Sequence, residues 1–307
     1  MGALSHIRVL DLSRILAGPW ASQILGDLGA EVIKVENPEG GDDTRHWGPP
    51  YMAGADGQPT EESAYFMCAN RNKRSVCVDM KTPEGQKALR ELAAQCDVVI
   101  ENFKVGGAAK FGLDYESLAQ ANPGLVYCSI TGFGQSGPYA NRPGYDFLVQ
   151  AMGGLMSVTG VPEGQPGAGP QKVGVALTDI MTGLYAVIGI QAALADRERS
   201  GLGQHVDLAL LDVTAATLAN QATNYLVGGI NPACLGNAHP NIVPYQSFVA
   251  SDGHLIVAVG NDGQFRRYCE VIGAAELADD ERFATNRQRV HNRDALVPLL
   301  QGKMLER

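Results

Sequence analysis

The sequence has few of the features that mark metalloenzymes and the common hydrolases. Its cysteines form no CxxC pair and show no spacing typical of a zinc site, so neither structural zinc nor a redox dithiol is indicated. Several stand inside apolar, strand-like runs, where a free buried thiol is expected. The HExxH and GxSxG signatures are also missing, which leaves a metallohydrolase and a GxSxG serine hydrolase without support. The six cysteines are Cys68, Cys77, Cys96, Cys128, Cys234 and Cys269.

Positive charge and long apolar runs are also scarce. Lys and Arg number 24 against 33 Asp and Glu, and the net charge of -9 argues against non-specific binding to nucleic acid or anionic membranes. The longest uncharged apolar run, Leu184 to Ala195, is too short for a bilayer core of about 30 Å. The amino-terminal stretch MGALSHIRVLDLS leads directly into a strand pattern, without a signal or transit segment. We therefore expect a cytoplasmic protein.

The first half of the sequence alternates short apolar strands with helical patterns. IRVLDLS is followed by GPWASQILGDLG and EVIKVE, and the same rhythm continues through SVCVDM, DVVIENF and LVYCSITGFG. It predicts an α/β fold in which helices cover both faces of a mostly parallel sheet. Thr82 is a suitable N-cap for the helix that starts at Pro83. With 45% hydrophobic residues in 307, the chain can bury a sizeable core.

The second half changes character in two places. The polar stretch RERSGLGQ (197–204) is typical of the end of a helix, and the loop NPACLGNAHPNIVPY begins near residue 231. QSFVASDGHLIVAVG then predicts a hairpin that turns at Asp252-Gly253. We therefore expect a smaller α+β domain from about residue 230 onward.

In parallel sheets, ligands bind beyond the carboxyl ends of the strands. One segment of this kind, GFGQSG, fits the GxGxxG pattern of dinucleotide sites through Gly132, Gly134 and Gly137. Prolines follow it instead of a helix, and it occurs late in the alternation, so we expect neither NAD nor flavin. A glycine-rich turn that allows close backbone approach is the better interpretation.

A basic segment, NRNKRS, places Arg71, Lys73 and Arg74 within six residues of an acidic protein. Alone, such a run is more typical of a solvated face. Because further cations follow predicted strands, a phosphate-rich ligand is the alternative.

Asp179 is the only charged residue in the stretch GVALTDIMTGLYAVIGIQAALA. A carboxylate among apolar neighbours is costly unless it is paired or used. Two roles remain open at this point: it can cap the helix that follows, or it can act as a nucleophile or base.

Several stretches together resemble the family III CoA-transferases, the CaiB/BaiF-like group. They are RILAGPWASQILGDLGAEVIKVE, NRNKRSVCVDMKTPEG, DVVIENF, SITGFGQSGPYANRPGYDFLVQAMGGLM, GVALTDIMTGLYAVIGI and GQHVDLALLD. Within the group, GDDTRHWGPPY, NIVPYQSF and RVHNR are most similar to the succinyl-CoA:glutarate (hydroxymethylglutarate) branch.

The resemblance implies an interlocked homodimer, in which each chain has a Rossmann-like large domain over 1–200, a linker over 201–229 and a small α+β domain over 230–307. It also implies coenzyme A as acyl-CoA substrate and product, and no metal. It implies that Asp179 is the catalytic nucleophile and that a loop containing Gly236 and His239 covers the site. Candidate oxyanion donors are the amides near Ala17 and Gly18 and that of Gly236. Arg45 and Arg142 are candidates, by position alone, for the far carboxylate of a dicarboxylyl group. The residues implied to bind CoA are Ile15, Leu16, Ala17, Arg71, Lys73, Arg74, Val78, Lys81, Asn102, Phe103 and Lys110.

Three departures from the family pattern accompany the resemblance. Leu16 and Asn37 stand where the formate–oxalate branch has Gln and Arg, so those substrates are not expected. Chains of this family continue beyond the point that corresponds to Arg307, and we expect a carboxyl-terminal return segment to be absent here.

The expected function is therefore transfer of CoA from an acyl-CoA to a free carboxylic acid. A 2-methylacyl-CoA racemase of the same fold is one alternative, but its GHD motif is replaced by Gly144, Tyr145 and Asp146, which removes the second base that epimerisation needs. A non-catalytic CoA-binding module is the other alternative.

Overall fold

The computed structural model describes residues 2–306, and its centre is a six-stranded, wholly parallel sheet. Three two-stranded antiparallel ribbons lie outside this sheet and pair β3 with β4, β8 with β9 and β11 with β12. The strands are β1 (Arg8–Asp11), β2 (Glu31–Glu36), β3 (Tyr51–Ala53), β4 (Pro59–Ser63), β5 (Lys73–Cys77), β6 (Val98–Glu101), β7 (Val126–Thr131), β8 (Gly160–Val161), β9 (Gly169–Pro170), β10 (His205–Ala209), β11 (Tyr245–Val249) and β12 (His254–Ala258).

The order of strands across the large sheet is β10-β7-β6-β1-β2-β5. The chain thus adds β2 and β5 on one side of β1, and then adds β6, β7 and β10 on the other side. This is a doubly wound sheet, and its direction of winding reverses between β1 and β6, which pair from Val9↔Val98 to Asp11↔Ile100. A crevice for ligands forms where the loops after two such strands diverge. The predicted α/β fold with a Rossmann-like parallel sheet is confirmed.

The inner strands are apolar because both of their faces are covered. All four residues of β6 are buried, as are the first five of β7, which is typical of the centre of a parallel sheet. One face packs on α1 and α6, through residues such as Leu25 and Ile190, and the other packs around Leu89 and Leu113. Each large aliphatic side chain buried in this way contributes about 1.5–3 kcal/mol.

The helices that cover the sheet and build the remainder of the chain vary in length from four to 24 residues. They are α1 (Ala17–Asp27), α2 (Ala64–Asn70), α3 (Pro83–Ala93), α4 (Tyr115–Ala119), α5 (Asp146–Met152), α6 (Leu177–Ser200), α7 (Leu210–Thr217), α8 (Ala219–Gly228), α9 (Asp262–Val271), α10 (Glu276–Asp279), α11 (Asn286–His291) and α12 (Arg293–Leu305). The expected cap of α3 is confirmed: the hydroxyl of Thr82 accepts the amide of Gly85, and Pro83 opens the helix.

Helix α6 is long and apolar enough, by length and composition alone, to cross a membrane. In this structure it packs along α1 and against β7 and β10, and it contributes Ala186, Ile190 and Ala193 to the core. It is therefore a core helix of the sheet.

The chain divides into two compact units, which we describe separately. The first extends to Leu155 and includes Lys172–Ala219; it contains the six-stranded sheet. The second includes Met156–Gln171 and continues from Asn220. The division into domains at 1–200, 201–229 and 230–307 stays a prediction.

The second unit has its own core, in which β11, β12, α9 and α12 enclose Phe248, Phe265 and Leu296. Ala250 donates its amide to the carbonyl of Gly253, which closes the hairpin turn between β11 and β12 at the predicted position. Arg289 is fully buried, and its guanidinium donates to two backbone carbonyls and to Asp262.

Candidate active site

A cavity of about 290 Å³ lies at the carboxyl ends of four neighbouring strands in the first unit. Leu12 and Arg14 follow β1, Asn37 follows β2, Val78 follows β5 and Phe103 follows β6. The position agrees with the rule that doubly wound sheets bind ligands at this edge. The lining residues are Leu12, Arg14, Lys34, Val35, Glu36, Asn37, Gly41, Asp42, Val78, Asp79, Met80, Lys81, Phe103 and Phe111. Three residues that the resemblance assigned to CoA, Val78, Lys81 and Phe103, are thus brought together.

An ion pair at the inner wall of this cavity is almost completely buried. The ammonium of Lys34 lies 2.9 Å from Asp42 Oδ2, and their side chains are 1% and 0% exposed. Lys34 also donates to the carbonyl of Ser13 at 2.9 Å. Such a pair is tolerated in the interior because each partner has further hydrogen bonds.

The loop between β1 and α1, residues 12–16, is held by hydrogen bonds to the side chains of Asn102, Asp42 and Asp11. Asn102 accepts the amide of Arg14 at 2.9 Å and donates to its carbonyl at 2.7 Å, which joins the loops after β1 and β6 at the point where winding reverses. Asp42 accepts the amide of Ile15, and Asp11 accepts that of Ser13. We call residues 12–16 the β1–α1 loop.

Ile15 in this loop adopts a left-handed backbone conformation, with φ of 73°. A β-branched residue is strongly disfavoured there, at a cost of about 1–3 kcal/mol. The next residue, Leu16, occupies the N-cap position of α1, and its hydrocarbon side chain cannot accept from the first amides of the helix. The amides of Ala17 and Gly18 therefore have no side-chain cap, which makes them candidates to donate to an oxyanion.

Asp179 lies in the first turn of α6, three residues after the N-cap position at Ala176. The capping role left open by the sequence belongs instead to Asp146, at the start of α5. Its Oδ1 accepts the amides of Thr178 and Asp179 at 2.9 and 3.3 Å, and its Oδ2 accepts from Gln150 at 2.7 Å. The Asp179 carboxylate is thereby left free for chemistry.

The pKa of Asp179 is raised to about 7, first by burial and second by the negative charge of Asp146. A carboxyl group that titrates near neutral pH is typical of a functional site.

Tyr65, in the first turn of α2, belongs to the same group of charges. Its pKa is raised to about 12, first by burial and then by nearby negative charges that include those of Asp179 and Asp146. The phenol therefore keeps its proton at neutral pH and is a hydrogen-bond donor. Its ring contacts that of Trp47 edge to face, with 5.0 Å between the centroids.

Helix α1 approaches α6 closely one turn beyond Asp179. A Cβ on Gly183 would lie 2.8 Å from the carbonyl oxygen of Ala17 and 3.0 Å from the indole of Trp20. Residues four apart lie on one face of a helix, so Asp179 and Gly183 share the face directed at the start of α1. This places the β1–α1 loop and the candidate nucleophile on neighbouring surfaces.

The cations of the basic segment do not line the cavity. Lys73 is buried and donates to Asp11, Asn70 and the carbonyl of Pro19. Burial lowers its pKa to about 8, an effect that the charge of Asp11 opposes. Arg71 pairs with Asp27 across the surface, and the exposed Arg74 lies 3.3 Å from Glu31. Their assignment to CoA stays a prediction.

Arg45 and Arg142 are both engaged. Arg45 donates to both oxygens of Glu36 and to Glu62, and its guanidinium lies 3.7 Å from the centre of the Phe66 ring. Its pKa is raised, first by the hydrogen bond to Glu36. Arg142 lies over the ring of Tyr139, at 4.1 Å.

Four further residues that the sequence singled out have the following immediate surroundings. Tyr145 is 71% exposed and occupies the N-cap position of α5. Lys110 is exposed in a 3₁₀ turn whose Phe111 lines the cavity. In the second unit, Gly236 donates its amide to the carbonyl of Gly160. There, too, the ring of His239 packs at 5.3 Å from that of Tyr245.

Two residues that interact electrostatically with Asp179 were missed by sequence reasoning. Asp146 was read only as part of GYD, and Tyr65 was not considered. The sequence held one usable signal: Asp146, which lies 33 residues before Asp179, directly precedes an apolar helical pattern. Across residues 2–306, no group of three or more His, Cys, Asp or Glu side chains is arranged to hold a metal ion.

Comparison with known proteins identifies close relatives. The model of a family described as CoA-transferase family III matches residues 4–307. A protein of Agrobacterium fabrum named succinate--glutarate CoA-transferase is 61% identical over 303 residues, which cover 99% of this chain and 74% of that protein. The human succinyl-CoA:glutarate CoA-transferase is 45% identical over 303 residues, with 99% and 67% covered. The crystal structure of a CAIB/BAIF family protein from Brucella suis is 57% identical, covers 99% of this chain and 78% of that one, and superposes with a TM-score of 0.84.

Proposed function

This chain belongs to CoA-transferase family III, and from that premise we propose that it moves CoA from succinyl-CoA to a second dicarboxylate through Asp179. The enzyme class follows from the family and from relatives named as CoA-transferases at high identity. The choice of succinyl-CoA and of glutarate as the first acceptor to test comes from the names of the two relatives with 61% and 45% identity.

The observation that carries the mechanism is the state of the Asp179 carboxyl group. It is half-buried, it leaves capping to Asp146, and its pKa of about 7 has burial and Asp146 as its causes. A carboxylate that is poorly solvated is a better nucleophile than one in water, since less hydration must be removed before attack.

The first exchange transfers the acyl group to the enzyme. The ionised carboxylate of Asp179 attacks the thioester carbonyl, the C–S bond breaks, and CoA leaves as the thiolate. An aspartyl–succinyl anhydride is formed. The Asp179 carbonyl of this anhydride is then attacked by the thiolate, which gives an aspartyl–CoA thioester and releases succinate.

The second exchange reverses this order with the acceptor. The acceptor carboxylate attacks the aspartyl–CoA thioester, so that Asp179 again forms an anhydride and the thiolate is again released. Attack of the thiolate on the acceptor's acyl carbon yields the new acyl-CoA and restores the Asp179 carboxylate. Every step exchanges one acyl bond for another of similar energy, which is the benefit of covalent catalysis here.

The protein supplies donors for the negative charge that develops on each carbonyl oxygen. The amides of Ala17 and Gly18 at the start of α1 are the first candidates, and the neutral phenol of Tyr65 is another. Gly236 and His239, from the second unit, stay predictions for the same role. An interlocked homodimer also stays a proposal.

Trapping of the covalent intermediate tests the proposal. The protein is mixed with succinyl-CoA, quenched with hydroxylamine and digested, and peptides are searched by mass spectrometry for a hydroxamate at Asp179. Asp179→Asn should show none, while Asp212→Asn, which removes an exposed carboxylate from the first turn of α7, should be modified like the unaltered protein.

The same assay separates the proposal from its rivals. CoA binding without modification at Asp179, for a panel of dicarboxylyl-CoA donors, favours a binding module. Exchange of the α-proton of a 2-methylacyl-CoA in deuterium oxide favours a racemase, which needs a second base.

A further inference from the structure

The strongest unexplained feature of the first unit is the backbone of Ile15, which turns left-handed between two fixed points. Before it, Arg14 is held by both hydrogen bonds of the Asn102 amide. After it, Leu16 accepts the amide of Trp20 and α1 begins. The chain must therefore reverse direction at one residue, and glycine would do so without a steric penalty. An isoleucine at φ of 73° needs an external restraint.

The restraint is a buried carboxylate. The amide of Ile15 lies 3.3 Å from both oxygens of Asp42 and is shared between them. Asp42 is itself immobilised, because it accepts from Lys34, from the amide and hydroxyl of Thr44, and donates its own amide to Glu36. A charged acceptor that cannot move fixes the direction of the N–H that points at it.

We propose that Asp42, held by Lys34, is a positioning residue that keeps Ile15 left-handed and thereby aims the start of α1 at the reacting centre. The proposal rests on the proposed function, because it is the acyl-CoA that the β1–α1 loop and the first amides of α1 would meet. Neither Asp42 nor Lys34 takes part in any bond-making step.

The connection to the reacting centre runs through one short contact. The carbonyl of Ala17 packs against Gly183, one helical turn from Asp179. If Ile15 relaxed to a negative φ, the chain after Arg14 would leave in another direction. The amides of Ala17 and Gly18 would then lose their fixed relation to Asp179.

The experiment compares glycine with alanine at position 15, in the presence and absence of the Asp42 charge. Ile15→Gly and Ile15→Ala are each made alone and together with Asp42→Asn. Both remove the isoleucine side chain, so only the preference for positive φ differs. The readouts are the dissociation constant of CoA by calorimetry, and kcat and KM with succinyl-CoA.

With Asp42 present, we expect the two position-15 variants to bind CoA within about threefold of each other, since the carboxylate imposes the conformation. With Asp42→Asn, we expect the glycine variant to bind about tenfold more tightly than the alanine variant, because glycine populates positive φ readily. If Asp42 only supported the general fold, its substitution would lower the CoA affinity of the glycine and alanine variants equally. Equal affinities in the Asp42→Asn background overturn the proposal.

Two further measurements keep the test decisive. Asp42→Asn alone leaves the Lys34 ammonium buried without its carboxylate, so the comparison is repeated in Lys34→Met/Asp42→Asn, which removes both charges. If the unaltered protein binds CoA but does not turn over, the proposed reaction fails while the binding comparison still decides the role of Asp42. If CoA does not bind, the midpoints of thermal unfolding decide. A larger stability advantage of the glycine variant over the alanine variant without Asp42 than with it supports the restraint, and equal advantages overturn it.

Discussion

The carboxylate of Asp146 accepts the backbone N–H of Asp179, with 3.3 Å between Oδ1 and the amide nitrogen. The same charge raises the pKa of the Asp179 carboxyl group. Asp146 thus fixes the backbone of the candidate nucleophile and at the same time makes its ionisation more difficult. These two effects have opposite consequences for activity: the fixed backbone favours attack by Asp179, and the raised pKa reduces the fraction of its reactive anion.

Activity should depend on ionisation of Asp179 near neutral pH. Only the anion can attack a thioester, so kcat/KM should rise as the pH increases through about 7, the pKa of this carboxyl group in the free protein. Initial rates with succinyl-CoA and glutarate between pH 5 and 9 give the profile. A profile already flat from pH 5 upward would contradict the assignment.

Asp146→Asn should move that profile toward lower pH. The substitution removes the neighbouring negative charge, while the amide oxygen of asparagine can still accept the backbone amides at the start of α6. The acidic limb of kcat/KM should therefore shift downward, whereas the control Asp212→Asn leaves it in place. An unshifted limb in Asp146→Asn would mean that burial alone raises the pKa of Asp179.

The raised pKa of Asp179 should also appear in the pH dependence of stability. The folded state holds this proton more tightly than the unfolded chain, so the contribution to stability is complete below the unfolded value near 4. It is lost as the pH rises toward about 7. Asp179→Asn should therefore gain stability relative to the unaltered protein between pH 5 and pH 8. Urea unfolding at both pH values measures the difference, and a pH-independent difference would exclude the shift.

Tyr65→Phe should lower kcat with a smaller effect on KM for the acyl-CoA. The phenol is neutral at working pH, and because the charge of Asp179 helps to raise its pKa, we expect it to donate to an oxyanion formed at Asp179. Loss of one such donor typically costs about 10²–10³ in kcat. Tyr225→Phe, at an exposed tyrosine of the second unit, is the matched control for loss of a hydroxyl. An unchanged kcat in Tyr65→Phe would remove the phenol from the mechanism.

Gly183→Ala should destabilise the first unit. The added Cβ would meet the Ala17 carbonyl at 2.8 Å and the Trp20 ring at 3.0 Å, and such overpacking costs about 1–3 kcal/mol. Alanine's higher helix propensity, about 1 kcal/mol, offsets part of this. Gly302→Ala in α12 meets nothing within 4 Å and should gain stability instead. Urea unfolding of both variants makes the comparison, and similar changes in the two would contradict it.

The sequence was sufficient for the features that depend on local pattern. Apolar runs such as VVIE predict buried parallel strands, and Thr82-Pro83 predicts the start of a helix; both are observed. Val78 and Phe103, which the resemblance assigned to CoA, follow two strands and meet at one edge, since parallel strands place their carboxyl ends together.

Relations between charges far apart in sequence could not be predicted. The ion pairs of Arg45 with Glu36 and Glu62 depend on how the segment after β2 folds back. No periodicity in the sequence predicts the path of that segment. The basic segment gave the same difficulty: Lys73 enters the interior and meets Asp11, 62 residues earlier, while Arg74 next to it is solvated. Successive side chains of a strand point to opposite faces of the sheet, so Lys73 and Arg74 are separated. Which of the two is buried depends on the order of the strands.

The placement of Asp179 on α6 ties the position of the candidate nucleophile to the core of the sheet. The helix carries the candidate nucleophile at one end and crosses the core of the sheet with the remainder, so a shift of Asp179 would disturb many buried contacts at once. The 3₁₀ turn Asp43–His46, the β3–β4 ribbon and Tyr65 belong to short segments outside the sheet. A substitution in those segments disturbs fewer core contacts than one that moves α6, so the position of the candidate nucleophile is the less easily altered of the two.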